Sequence, residues 1–108
     1  MITAKFRRRE PDGFTGFEVS GHALFAPKGE DVVCAAASAL AFTAAAALQN
    51  EAERFYPRVV RRPGELRIAC EPAEGSRRAC RRLLDTIWVG FELLARDYPE
   101  CVNIERED

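Results

Sequence analysis

The sequence predicts an α+β fold in which two helices pack on a mostly antiparallel sheet, with the elements in the order β-β-α-β-β-α-β. Three patterns predict this fold. Residues 2–8 alternate between apolar and polar side chains, residues 32–48 form a long alanine-rich apolar run, and residues 80–95 repeat apolar side chains with the period of a helix. A chain of 108 residues has room for one domain, and we assign residues 1–108 to it.

The first half predicts a hairpin followed by a helix. Residues 2–8 and 14–20 read as two strands, joined at a Pro-Asp-Gly turn signal. Asp31 is a favourable N-cap for a helix that runs to about Ala52. Because this helix is apolar nearly all round, we expect neighbouring elements to cover it on several sides.

The second half predicts another hairpin, a second helix and a last strand. Pro57 places the first strand of this hairpin at an edge of the sheet, because proline cannot donate to a ladder of hydrogen bonds. The predicted elements are a strand over residues 55–61, a strand over 65–70, a helix capped by Ser76 that ends near Tyr98, and a short strand at Val102 and Ile104.

Composition is that of an ordinary soluble protein, with 47% apolar and 31% charged residues and a net charge of −1 at pH 7. This balance excludes a global basic field that would attract nucleic acid. No apolar leader follows Met1, so we expect a cytoplasmic protein with reduced thiols and no membrane partner. The apolar run 32–48 contains Ser38 and Thr43, and it reads as a buried helix rather than a membrane span.

The four cysteines are candidate thiol chemistry rather than metal ligands. None forms a Cys-x-x-Cys pair, and His22 is the single histidine, so we set zinc aside and expect no metal and no cofactor. Three of them have apolar neighbours at periodic positions and read as packing residues, namely Cys70, Cys80 and Cys101.

Arginines cluster at two places, and each cluster has two interpretations. One cluster is at the start of the second helix and the other is on the third strand. In one interpretation they form a basic patch that contacts ribosomal RNA or an acidic partner. In the other, which we favour, they are solvated faces. The helix cluster is Arg77, Arg78, Arg81 and Arg82, and the strand cluster is Arg58, Arg61 and Arg62.

The pair that points to catalysis is His22 and Cys34. His22 follows the second strand, Cys34 falls in the first turn of the first helix, and a loop of this length can fold back to place imidazole beside thiol. A helix start stabilises thiolate through its free N–H groups and its dipole, and a histidine can protonate a leaving amine. Amides of the same turn, including that of Cys34, could hold an oxyanion.

Two further residues have supporting roles in this interpretation, and an alternative stays open. Asp31 could orient His22, although its charge could also oppose the thiolate, and Ser38 lies one helical turn beyond Cys34 on the same face. Phe25 could line a pocket for apolar substrate side chains. Alternatively, Cys34 is a core cysteine of an alanine-rich helix and His22 is a loop residue.

The sequence resembles the ribosomal-processing cysteine protease (Prp) family over essentially the whole chain. The resemblance rests on a short histidine motif, a glycine-containing loop, a longer cysteine motif and the order of the elements. The two motifs are Gly21-His22-Ala23 and Gly29-x-Asp31-x-Val33-Cys34-Ala35-Ala36-x-Ser38-Ala39-Leu40.

The resemblance implies a homodimeric thiol protease with a catalytic Cys/His dyad at Cys34 and His22 and a mobile loop between them. Gly21, Asp31 and Ser38 match other positions of the family motif. It also implies a role in ribosome biogenesis, in which a short N-terminal extension is removed from the precursor of a large-subunit ribosomal protein.

The expected function is therefore that of a cysteine endopeptidase, and two rivals remain. The first is a non-catalytic ribosome-associated binding or assembly factor that uses the arginine clusters, whose binding would fall steeply with salt. The second is a redox or acyl-transfer protein that shares an activated Cys34. The lack of a nearby resolving cysteine in sequence weighs against the redox version.

Overall fold

The computed structural model describes residues 1–24, 26–27 and 30–108. It confirms the α+β class and the predicted order of strands and long helices, and it adds one short helix. The elements are β1 (Ile2–Arg9), β2 (Gly13–Gly21), α1 (Val32–Gln49), α2 (Ala52–Phe55), β3 (Arg58–Arg62), β4 (Glu65–Ala69), α3 (Arg77–Asp97) and β5 (Val102–Glu107).

The five strands form one mixed sheet in the order β3-β4-β2-β1-β5. Three neighbouring pairs are antiparallel, while β5 returns after α3 to run parallel to β1. As predicted, the strand next to Pro57 lies at an edge of the sheet: β3 begins one residue after this proline. This order places β4 beside β2, so the turn between β3 and β4 lies at the end of β2.

The core lies between one face of the sheet and the two long helices, with Phe6 at its centre. Its side chain is fully buried, and its ring stacks on that of Phe17 at a centroid distance of 4.8 Å. The rings of Trp88 and Phe14 meet it edge-on at 5.1 and 5.2 Å. The predicted stripe of α3 is confirmed, because its buried residues are Cys80, Leu84, Ile87 and Phe91.

Helix α1 buries one stripe rather than several sides. Its buried residues all lie on that stripe, while Val32 is 58% exposed and Phe42 is 44% exposed. The expectation of wide coverage is therefore wrong for the isolated chain, because the sheet and α3 reach only one side of α1. By length and composition α1 could cross a membrane, but core helices pass the same test, and 33% of it is buried inside the protein.

The segment between α1 and β3 differs from the predicted boundaries. Helix α1 ends at Gln49 rather than near residue 52, and the short α2 follows it and ends at a left-handed Tyr56 with φ of 44°. This turn drives Phe55 into the core, where it is 2% exposed, so β3 begins at Arg58 instead of residue 55.

Ser76 precedes α3 as predicted, but its side chain does not cap the helix. Its hydroxyl accepts a hydrogen bond from Nε of Arg54 at 3.3 Å instead. The serine therefore ties the start of α3 to the short helix α2, and the backbone amide of Cys80 closes the first turn on the carbonyl of Ser76 at 3.0 Å.

Candidate active site

The start of α1 is held by Asp31, as predicted. Oδ1 of its carboxylate accepts hydrogen bonds from the backbone amides of Val33 and Cys34 at 3.0 and 2.9 Å. A carboxylate at this position satisfies orphan donors of the first turn and complements the helix dipole. Cys34 is thus fixed in the first turn with its side chain half-buried.

The same geometry corrects one expectation about the oxyanion. The Cys34 amide is engaged with Asp31, so it is not a free donor for a developing negative charge. A different amide points at the sulfur, since the backbone N–H of Ala23 donates to Sγ of Cys34 at 3.3 Å. Pattern reasoning missed this amide because a backbone donor leaves no trace in residue type.

His22 is positioned by two glycines. The φ of Gly21 is +93°, and a Cβ there would lie 2.2 Å from the Met1 carbonyl oxygen, so only glycine fits the end of β2. The amide of Gly21 donates to the carbonyl of Gly64 at 3.0 Å, which fastens this strand end to the β3–β4 turn. A Cβ added at Gly64 would lie 3.3 Å from Nε2 of His22, so the imidazole lies against this turn.

His22 and Cys34 line the same cleft, which has a volume of about 250 Å³. Gly21 and Ser38 line it too, so four of the five predicted site residues meet there. Asp31 is not among the lining residues and instead holds the helix entry. Helix α1 provides one wall of the cleft, with Cys34, Ala37, Ser38, Ala41 and Phe42. The β3–β4 hairpin provides another, with Arg61, Arg62, Gly64, Glu65 and Leu66.

The loop between His22 and Cys34 is described only in part. Ala23 is buried, while Leu24 adopts a left-handed φ of 57° and is 82% exposed. The amide of Ala26 donates to Oδ2 of Asp31 at 3.4 Å. Phe25, which the sequence suggests as part of an apolar pocket, lies outside the described residues, and so does Gly29 of the motif.

The wall of the cleft that β3 and β4 provide is not predicted by the sequence patterns. The arginine pattern favours a solvated face for Arg61, yet its guanidinium carbon lies 4.5 Å from the centre of the Phe42 ring, at the cleft. The one signal in the sequence is Gly64, because a turn without a side chain leaves room for a neighbouring residue such as His22. Placing that turn beside His22 requires knowing that β4 pairs with β2, which the sequence pattern alone does not show.

The remaining cysteines pack in or against the core, as predicted. Cys70 and Cys80 are 6% and 1% exposed, and Cys101 is half-buried. A hydrogen bond with Cys80, together with burial, raises the pKa of the Cys70 thiol. A thiol held in its neutral form is a poor nucleophile, so Cys70 is not a rival for Cys34.

Two of the four arginines at the start of α3 have acidic partners within the chain. Arg77 approaches Asp12 at 3.7 Å and Arg81 approaches Asp85 at 3.8 Å. These exposed pairs support the solvated-face interpretation, because each offsets positive charge near the helix start.

Comparison with known proteins identifies the family. The family model for cysteine protease Prp matches residues 1–103. The ribosomal processing cysteine protease Prp of Bacillus subtilis (strain 168) is 32% identical over 110 residues, covering 96% of each chain.

Solved structures share the fold across the whole chain. The structure of the ribosomal processing protease Prp from S. aureus with a covalently linked product peptide has a TM-score of 0.87 at 23% identity, and it covers 99% of this chain and 100% of that one. SMU.848 from Streptococcus mutans has a TM-score of 0.74 at 27% identity, covering 98% and 93%. The chain therefore belongs to the cysteine protease Prp family and is a cysteine-type peptidase, a hydrolase.

Proposed function

We propose that this chain is an endopeptidase with a Cys34–His22 dyad, which removes a short N-terminal extension from a large-subunit ribosomal protein. One observation supports the dyad above all others. The single imidazole of the chain and a half-buried thiol at the start of a capped helix line one cleft. His22 is exposed and Cys34 is half-buried, so an extended peptide that lies in the cleft can reach both groups.

The proposed reaction has two stages. The Cys34 thiolate attacks the scissile carbonyl carbon, so that a C–S bond forms and an electron pair moves to the carbonyl oxygen. The C–N bond then breaks as the His22 imidazolium donates its proton to the leaving amine, which leaves a thioester. Water, deprotonated by His22, attacks the thioester, and the C–S bond breaks to release a carboxylic acid and the thiolate.

The oxyanion of this reaction needs a donor other than the Cys34 amide. We assign that role to the backbone N–H of Ala23, because it already points at the sulfur to which the reacting carbon binds. Asp31 then acts as a positioning residue. Its carboxylate fixes the turn that bears Cys34 and also binds the amide of Ala26 in the connecting loop.

The assignment of a ribosomal substrate draws on the relatives. The Bacillus subtilis relative is named a ribosomal processing cysteine protease. The S. aureus protease has been crystallised with a substrate peptide and with a covalently linked product peptide. By analogy with these relatives, we infer that this chain binds a peptide from a ribosomal protein precursor across the cleft, beside Cys34.

Thiol alkylation tests the dyad without requiring a substrate. At neutral pH we expect iodoacetamide to react faster with Cys34 than with Cys101, which is also half-buried. His22→Ala is expected to remove most of that excess, because the imidazolium that stabilises the thiolate is gone. At about pH 10, where thiols ionise without help, the two proteins should react equally. Equal alkylation rates of Cys34 in the wild type and in His22→Ala at neutral pH would contradict the dyad.

We also propose that the protein acts in the cytoplasm as a homodimer, with the outer face of α3 at the interface. Val89 is 50% exposed and Leu93 is 47% exposed, one helical turn apart on α3. A small core makes burial of such side chains in a dimer favourable. Sedimentation should give twice the chain mass, and Leu93→Glu should shift it to the monomer. A wild-type monomer at micromolar concentration would refute this.

A further inference from the structure

We propose that Cys70 and Cys80 form an oxidation site separate from the cleft, in which a hydroperoxide oxidises the two thiols to an intramolecular disulfide. The new bond would join the end of β4 to the first turns of α3. Neither Cys34 nor His22 takes part in this chemistry, so the site is independent of the proposed peptidase activity.

The fold places the two thiols opposite each other between the sheet and α3. Buried Leu66 and Ile68 alternate along β4 on its helix-facing side, and Cys70 continues that alternation just beyond the strand. Its backbone amide donates to the carbonyl of Thr15 at 2.8 Å, which keeps it in line with the sheet. Cys80 lies on the buried stripe of α3. The two side chains meet there, and a hydrogen bond joins their sulfur atoms.

The segment that connects the two cysteines is short and is fixed at both of its turns. The amide of Ala73 donates to the carbonyl of Arg54 at 2.8 Å, and Nε of Arg54 donates to the hydroxyl of Ser76 at 3.3 Å. These bonds hold the start of α3 over the end of β4 while both thiols are reduced. Two sulfur atoms already in hydrogen-bond contact need little backbone movement to reach bonding distance.

The hydrogen bond gives the two thiols different roles. The thiol of Cys70 donates to Cys80, which lowers the pKa of Cys80, and the same bond, together with burial, raises the pKa of Cys70. Burial and the charge of Asp12 act against the ionisation of Cys80, but the hydrogen bond outweighs them. Because thiolate is the form that reacts with a hydroperoxide, Cys80 is oxidised first and Cys70 resolves the product.

The reaction consumes one hydroperoxide for each pair. The Cys80 thiolate attacks one oxygen of hydrogen peroxide, so that an S–O bond forms and the O–O bond breaks. The leaving hydroxide takes up the proton that Cys80 released. The Cys70 sulfur then attacks the sulfur of the sulfenic acid, an S–S bond forms, the S–O bond breaks, and hydroxide leaves with the Cys70 proton as water. Two thiols are oxidised to a disulfide, and the peroxide is reduced to two molecules of water.

Burial selects the class of oxidant. Neither cysteine is more than 6% exposed, so a bulky disulfide such as oxidised glutathione cannot align with either sulfur atom. Hydrogen peroxide is uncharged and little larger than water. Because the resolving thiol already contacts Cys80, the sulfenic acid is consumed before a second peroxide reaches it. We therefore expect a disulfide rather than a glutathione adduct or a sulfinic acid.

Peptide mapping of the full chain tests the site. Trypsin places the four cysteines in four different peptides, with Cys70 in residues 68–77 and Cys80 in residues 79–81. The protein is treated with hydrogen peroxide, its remaining thiols are alkylated in denaturant, and the digest is analysed by mass spectrometry. We expect these two peptides to appear as one linked species, lighter by two hydrogens than the sum of the reduced peptides, and dithiothreitol should abolish it.

Serine variants separate the two roles. In Cys70→Ser the sulfenic acid of Cys80 has lost its resolving thiol, so we expect dimedone to label Cys80 in this variant but not in the wild type. In Cys80→Ser we expect Cys70 to remain an alkylatable thiol under the same treatment. Cys101→Ser is the matched control, because it removes a free thiol outside the pair, and it should give the wild-type yield of the linked species.

Three results would overturn this assignment. In the first, Cys70 and Cys80 of the wild type stay alkylatable at a peroxide exposure that oxidises the half-buried Cys101. In the second, Cys70 and Cys80 link to Cys34 or Cys101 as often as to each other, as thiols of an unfolded chain would. In the third, dimedone labels the remaining cysteine equally in Cys70→Ser and Cys80→Ser, which would mean that Cys80 is not the thiol oxidised first.

Discussion

Replacing Cys34 by alanine is expected to lower kcat for peptide cleavage by about 10⁶-fold. The substitution deletes the sulfur that is proposed to form the bond to the scissile carbon, and Cys34 is the one cysteine among the described residues that line the cleft. Cys70 and Cys80 are buried, and the raised pKa of Cys70 keeps that thiol neutral. The measurement is cleavage of a peptide that spans a precursor extension, followed by mass spectrometry.

His22→Ala is expected to lower kcat for peptide cleavage by about 10²- to 10⁴-fold, the range that a general acid–base group contributes. Cys101→Ala is the matched control, because Cys101 is a half-buried free thiol like Cys34. This control should cleave at the wild-type rate. Both variants at the site should retain the wild-type circular dichroism spectrum, since neither side chain is part of the buried core. Undiminished cleavage by Cys34→Ala would refute the assignment of the nucleophile.

The candidate site could be predicted from the sequence where one short stretch of chain determines it. His22 and Cys34 are twelve residues apart, and a strand end, a loop and a helix start are all readable from local patterns. The N-cap of Asp31 is likewise local, and the structure confirms it. Residues that reach the cleft from a distant hairpin are different, because their placement depends on which strands pair.

Arg61 illustrates that limit. On the strand alone it is one arginine among three, and a solvated edge is a sound interpretation of such a cluster. Only the pairing of β4 with β2 moves this hairpin beside His22, and only the register with Leu66 turns Arg61 toward α1. The same limit applies to the fold. The long elements were predictable from periodicity, whereas α2 forms because tertiary packing draws Phe55 into the core.

The largest effect on stability is expected from Phe6→Ala. Phe6 has no exposed surface, and its ring contacts the rings of Phe14, Phe17, Trp88 and Phe91 at centroid distances of 5.9 Å or less. Truncation removes the central member of this cluster on the middle of the sheet. We expect the free energy of unfolding to fall by about 3–5 kcal/mol, because the surrounding side chains can only partly fill the cavity. This is a large fraction of the stability of a small domain.

Phe42→Ala provides the comparison that separates burial from residue type. It removes the same atoms from a side chain that is 44% exposed and contacts Arg61. We expect its effect on the free energy of unfolding to be about 1 kcal/mol or less, which is the scale of a solvent-exposed cation–π contact. Denaturant titration of both variants at one protein concentration measures the two losses, with unchanged slopes if the unfolded states are alike. Equal losses at the two positions would show that Phe6 is not the centre of the core, because only a buried ring leaves a cavity behind.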